Sequence, residues 1–164
     1  MKRKEEFQNI LIQWCGPVSS STVETFDPGC LYILTGKRKY QRRSELQYIG
    51  ITEDQIYRRL NRHHKIDQIV SDLNCWVGKV VHPADLGRTG LERAESMLIW
   101  IAQPPLNERK KTYLPHPTNV ISHWFKDDGG PRYNRNGLFK DFPDVISWDG
   151  ENWREGNLRV FEIE

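Results

Sequence analysis

Cysteine is scarce in this chain: three in 164 residues (Cys15, Cys30 and Cys75), far apart and without a CxxC pair. That pattern argues against a disulfide framework or a structural zinc site and suits a reducing cytosol. Long apolar runs are missing as well. No stretch approaches the roughly 20 residues of a membrane span, and no apolar signal segment follows the basic start MKRKEEF, so a cytoplasmic protein is expected, nucleoid association included. There is no internal repeat, no low-complexity tract, and no zinc-finger or helix-turn-helix pattern that would read DNA bases.

What the chain does have is charge, unevenly placed. Hydrophobic residues make up 37% and charged residues 28%, with a net charge of +2. From Lys37 to Lys65 there are nine Lys/Arg against three Asp/Glu, a local +6, whereas Asp141 to Glu164 holds seven acids against two arginines. A basic block in a nearly neutral protein is the usual footprint of a phosphate-backbone partner, although a solvated surface has the same composition.

Apolar periodicity sets the expected elements. Phe7, Ile10, Leu11 and Trp14 fall at helical spacing and predict a short helix over 1–14, followed by a Pro/Ser/Thr loop to Gly29. CLYILTG (30–36) and LQYIGIT (46–52) read as strands of a hairpin whose connection, KRKYQRRSE, is polar and basic. Thr52 with Gln55 forms a capping-box pattern, which predicts a helix running to about Val70. CWVGKVVH (75–82) reads as a third strand, and LERAESMLIWIAQ as a second helix stopped by Pro104-Pro105. Beyond Lys111 prolines and glycines break the chain around two β-like pieces, NVISHWF and DVISWDGENW. The expected fold is a small α/β sandwich, a three-stranded antiparallel sheet flanked by helices in the order β-β-α-β-α. Its parts are an N-terminal helix and loop (1–29), a core (30–111) and a β-containing C-terminal extension packed on it (112–164).

Some residues sit oddly in that frame. Glu95 falls on the apolar arc of the second helix with Leu91, Leu98, Ile99 and Ala102. A carboxylate there needs a hydrogen bond, a cation or a metal. Arg59 and His63 are four apart on the preceding helix, Asn107 follows the double proline, and Tyr32 and Tyr48 sit on adjacent strands. Each alone also reads as a core aromatic, a basic surface or a turn residue.

As an ordered set they resemble the GIY-YIG nuclease superfamily. Leu31-Tyr32-Ile33 matches the first motif strand and Tyr48-Ile49-Gly50 the second; Arg59, His63, Glu95 and Asn107 follow in order, spanning 30–107. Only the tyrosine of the first tripeptide survives, since the chain has Cys30-Leu31-Tyr32, and the linker between the tyrosines is lengthened by the basic insertion. The resemblance implies a Mg²⁺-dependent endonuclease that hydrolyses DNA, with Mn²⁺ as a substitute ion. Glu95 would hold the metal, Arg59 would neutralise the scissile phosphate, and Tyr32 with His63 would activate or orient water. Tyr48 would position the phosphate or the water, and Asn107 would support the site. Lys37, Arg38, Lys39, Arg42 and Arg43 on the hairpin connection, with Arg58, Arg62 and Lys65 on the helix, would grip the DNA backbone. The competing expectations are a catalytically inactive nucleic-acid-binding protein on the same scaffold, and an interaction protein whose acidic tail covers its own basic cleft. A homodimer or a partner protein is a further source of specificity.

Overall fold

The computed structural model describes residues 7–19, 23–130 and 142–158. The first six residues of the expected N-terminal helix, residues 20–22, Pro131 and the acidic residues Asp141, Glu162 and Glu164 lie outside the described residues.

The chain begins with a strand where a helix was expected. In β1 (Gln8–Cys15), Ile10, Ile12 and Trp14 are all fully buried, alternating with more exposed neighbours. Ile10 and Trp14 satisfy both a helical and a strand period, and Ile12 decides between them. Next comes the hairpin, β2 (Cys30–Arg38) and β3 (Glu45–Thr52), as the alternation predicted. A helix of six residues, α1 (Ile56–Asn61), and a 3₁₀ turn at Ile66–Gln68 lead into β4 (Ile69–His82). The expected helix to Val70 is therefore much shorter. Thr52 does not cap it; its hydroxyl accepts from the Asp54 amide at 3.1 Å, and Gln55 occupies the N-cap position. Beyond Leu60, the sequence NRHHK supplies no apolar residue to bury, so the helix stops and Ile66 and Ile69 turn into the core instead. The second helix, α2 (Arg88–Ala102), ends at Gln103 in the left-handed region (φ 46), immediately before Pro104-Pro105. Then come β5 (Thr118–Phe125), β6 (Val145–Trp148) and β7 (Trp153–Gly156).

These strands form one seven-stranded sheet in the order β3-β2-β4-β1-β5-β6-β7. This corrects the expected three-stranded sheet flanked by helices: β3, β2 and β4 are antiparallel neighbours, but the sheet continues through β1 and β5. The β1–β5 pair is parallel, in register from Gln8↔Thr118 to Cys15↔Phe125, which makes the sheet mixed. Strands from before residue 30 and after residue 111 thus belong to the same sheet as the hairpin.

Alternation along β2 divides the core in two. Leu31 and Ile33 point toward α2, with Leu91, Ala94, Met97, Leu98 and Ile99. Tyr32 and Leu34 point the other way, with Ile56 and Leu60 of α1 and with Val77 and Leu106. In the middle strands Gly78 lies beneath Trp14; a Cβ there would come within 2.7 Å of the indole. Trp14 also stacks on Trp124 of β5 at 5.3 Å and donates to the Ser122 hydroxyl at 3.0 Å, so one aromatic column ties β4, β1 and β5 together. The tail carries its own buried polar anchor: Asp144 accepts from the Trp124 indole (3.2 Å) and from the Leu158 amide (2.7 Å).

Candidate active site at the edge of strand β3

The site is built where three elements meet the outer edge of β3. Strand pairing places Tyr32 opposite Gly50. The missing Cβ of Gly50 is what admits the phenol, since a Cβ there would lie 2.5 Å from the Tyr32 Cζ and Oη. Tyr32 is fully buried and stacks on Tyr48 with ring centroids 6.0 Å apart. The Arg59 Nε of α1 donates to the Tyr32 hydroxyl at 3.2 Å, fixing the guanidinium beside the aromatic pair. Burial pushes the Tyr32 phenol well above its usual range; Tyr48 adds to the rise, and Arg59 opposes it without reversing it. Burial alone would pull the Arg59 guanidinium down, but the Tyr32 and Tyr48 phenols more than offset that.

His63 sits behind this pair, 5% exposed and edge-on to Tyr48 at 4.6 Å and to Tyr32 at 5.7 Å. Because α1 ends at Asn61, His63 reaches the tyrosines through the loop and not through a shared helical face with Arg59. Its Nδ1 accepts from the Lys65 amide at 3.2 Å, which assigns the proton to Nε2, and that nitrogen is buried with no hydrogen-bond partner among the described residues. Burial, then the Arg59 charge, push the imidazole down to about 4. At neutral pH it is uncharged, with its lone pair already engaged.

Tyr48, Arg59, Glu95 and Asn107 line one cleft of about 440 Å³, along with His64, Lys65, Arg109 and Lys110. Tyr32 and His63 lie behind its wall. Glu95, on the apolar side of α2 as the arc placed it, is 9% exposed. Burial raises its carboxyl above the usual range, partly countered by Lys110, whose ammonium donates to Glu95 Oε2 at 2.5 Å. Asn107 does something the sequence did not show. Its Oδ1 accepts from the Ile49 amide and its Nδ2 donates to the Ile49 carbonyl, both at 2.9 Å, while the Leu106 amide donates to the Gln47 carbonyl at 3.0 Å. The segment after the double proline thereby pairs with the edge of β3 like a fragment of strand.

The basic residues divide into groups. Lys37 pairs with Asp72 at 2.9 Å, Arg38 donates to Gln47 at 3.0 Å, Arg58 lies 3.6 Å from Asp54, and Lys65 pairs with Glu108 at 2.6 Å. Lys39, Arg42, Arg43 and Arg62 are exposed. His64 and Lys110 were not singled out from the sequence. His64 looked like part of a basic run, and Lys110 lies fifteen positions from its partner. Cys30 and Cys75 are buried, and burial pushes both thiols up to about 12, so neither supplies a thiolate.

Carboxylate oxygen is the donor that a divalent cation would take on this cleft. Among the described residues no three His, Cys, Asp or Glu side chains converge to cage an ion. Mg²⁺, however, retains several waters and is held by one or two carboxylates together with substrate phosphate. Glu95 is the buried carboxylate of this cleft, with Glu92 and Glu108 also on its lining, and a cation held by Glu95 would have to displace the Lys110 ammonium that donates to it. No helix among the described residues is long and apolar enough to cross a membrane. Compared with known proteins, the chain matches no family model, no curated protein and no solved structure.

Proposed function

We propose that this protein is a metal-dependent endonuclease that hydrolyses DNA phosphodiester bonds. The observation that carries the reading is that Arg59, Glu95 and Tyr48, brought from three separate elements, line one cleft among further cations. In this reading Arg59, held by its hydrogen bond to Tyr32, presents its remaining N–H groups to a phosphate oxygen and offsets the charge that grows on it. Glu95 would hold the cation, which when bound supplies Lewis-acid polarisation of the phosphate.

The proton roles follow from burial. Tyr32 is buried and its phenol is neutral, so its part is to anchor Arg59. Tyr48 has the phenol that reaches the cleft, where it orients the phosphate or the attacking water. His63 is a donor through Nε2–H, while His64 is exposed on the cleft wall. Asn107 acts by holding β3 and hence Tyr48.

The test is Mg²⁺-dependent cleavage of supercoiled, linear and branched DNA by the intact protein. Glu95→Ala and Arg59→Ala are each expected to lose at least a hundredfold in rate, with DNA binding retained. Cleavage unchanged in Glu95→Ala removes the metal assignment. A second reading, a catalytically silent DNA-binding protein, draws support from the Lys110 ammonium seated on Glu95. DNA binding without cleavage of any substrate would establish it.

A further inference from the structure

The β2–β3 connection exposes an aromatic ring that the active-site reading leaves unused. Tyr40 is 90% exposed, far more than the other aromatics of the hairpin. It also sits at φ 70, a left-handed conformation that turns ordinarily give to Gly or Asn and that disfavours a bulky L-residue. The turn beneath it is braced. The Gln41 amide donates to the Arg38 carbonyl at 3.0 Å. Gln41 Oε1 accepts from the Arg38 amide and from Gln47 Nε2, both at 2.8 Å, and Gln41 Nε2 donates to Glu45 at 3.1 Å. Gln47, at the foot of this network, is fully buried. The strain and the bracing lie in the backbone and in the Gln41 network, so the turn fixes the point from which the ring projects and the cost of ordering on binding falls mainly on the side chain.

The charges around the ring are placed for phosphate. The Lys39 ammonium lies 5.1 Å from the Tyr40 ring centre, and Arg42 and Arg43 are exposed on the same turn. Lys37, at the base, is paired with Asp72, so positive charge concentrates at the tip beside the ring. A projecting ring flanked by cations suits a nucleobase whose backbone carries phosphates on either side.

We propose that this turn is a base-stacking wedge. Tyr40 takes the face of an unpaired DNA base, and Lys39, Arg42 and Arg43 contact the adjoining phosphates, so that the protein prefers DNA with a bulge or an open base over uniform duplex. The proposal rests on the nuclease reading for the choice of DNA, and it supplies that reading with a substrate class.

The experiment measures binding in EDTA, where divalent cations are chelated, by the full-length protein. The probes are a fully paired duplex and the same duplex with one bulged 2-aminopurine. The wild type is expected to bind the bulged duplex more tightly and to quench the 2-aminopurine. Tyr40→Ala is expected to lose about tenfold on the bulged duplex and less than about twofold on the paired one, with the quenching gone. Tyr40→Phe and Tyr40→Trp should keep both, and Arg42→Ala should weaken binding to both probes and flatten the salt dependence. Equal affinity for the two duplexes, or a Tyr40→Ala variant that behaves as wild type, overturns the wedge even if Mg²⁺-dependent cleavage is intact. Bulge preference without cleavage on any DNA keeps the wedge and overturns the nuclease. Tyr40→Ala that weakens binding to anionic vesicles but not to DNA overturns the wedge in favour of a lipid surface.

Discussion

At the scale of single residues, the site depends on one absent methyl group. Gly50→Ala would drive a Cβ into the Tyr32 ring, displace the phenol and release Arg59. The expected result is about 1–3 kcal/mol of lost stability in denaturant melts and at least a tenfold loss of cleavage, with bulk DNA binding little changed. His63 makes a different prediction. Its imidazole is held at about 4 in the folded chain against an ordinary 6.5, so the unfolded state binds the extra proton first as pH falls. Stability from this group is intact above pH 6.5 and declines between about 6.5 and 4. Urea midpoints across that range should fall with acid in the wild type and vary less in His63→Asn. Tyr48, Arg59 and Glu95, which line the cleft, and Tyr32 behind it were singled out in the sequence through the ordered resemblance they form together. The burial of Tyr32 and His63 behind the cleft, and the roles of Gly50 and Lys110, were not. Each arises from a contact between residues that no local pattern connects.

At the scale of elements, the most informative piece is the one after α2. A proline stop followed by Asn reads as a turn, yet Leu106 and Asn107 complete the hydrogen bonding of β3. Asn107→Ala would strip both backbone groups of Ile49 of their partner. We expect a loss of about 1–3 kcal/mol and faster hydrogen exchange at the Ile49 amide, with the Trp14 region unaffected. The hairpin and α2 were read nearly in place because alternation and the Pro104-Pro105 stop are local signals. The first element was misread, since Ile10 and Trp14 serve either period and the strand exists through pairing with β4 and β5. Similarly, the Thr52 box promised a long helix, but the residues after Leu60 gave it no apolar stripe to bury.

At the scale of the whole molecule, residues far apart in sequence close the sheet. The parallel pairing of β1 with β5 joins positions about 110 apart, and Trp14, Trp124 and Trp76 interlock across it. No alternation pattern reveals such a partner, which is why the tail looked like an appendage. A fragment of residues 30–111 would leave β4 without its β1 neighbour and expose Trp76 and the α2 face. It is expected to lack a cooperative urea transition and to show poorly dispersed amide resonances, whereas the 164-residue chain is expected to unfold in one step.

The hydrogen bonds of Asn107 to Ile49 have one more consequence. A sheet grows by recruiting a strand to an unpaired margin, and among the described residues the outermost strands of this one are β3 and β7. The β3 margin is already occupied where it borders the cleft, and β7 is only four residues long and carries Arg154 and Glu155. At Gln47 and Ile49, beside the cleft, the chain itself thus takes the hydrogen bonds that an added strand would need. Whatever meets the cleft beside β3 therefore meets side chains, Tyr48, Arg59 and Lys110 among them, in place of open backbone.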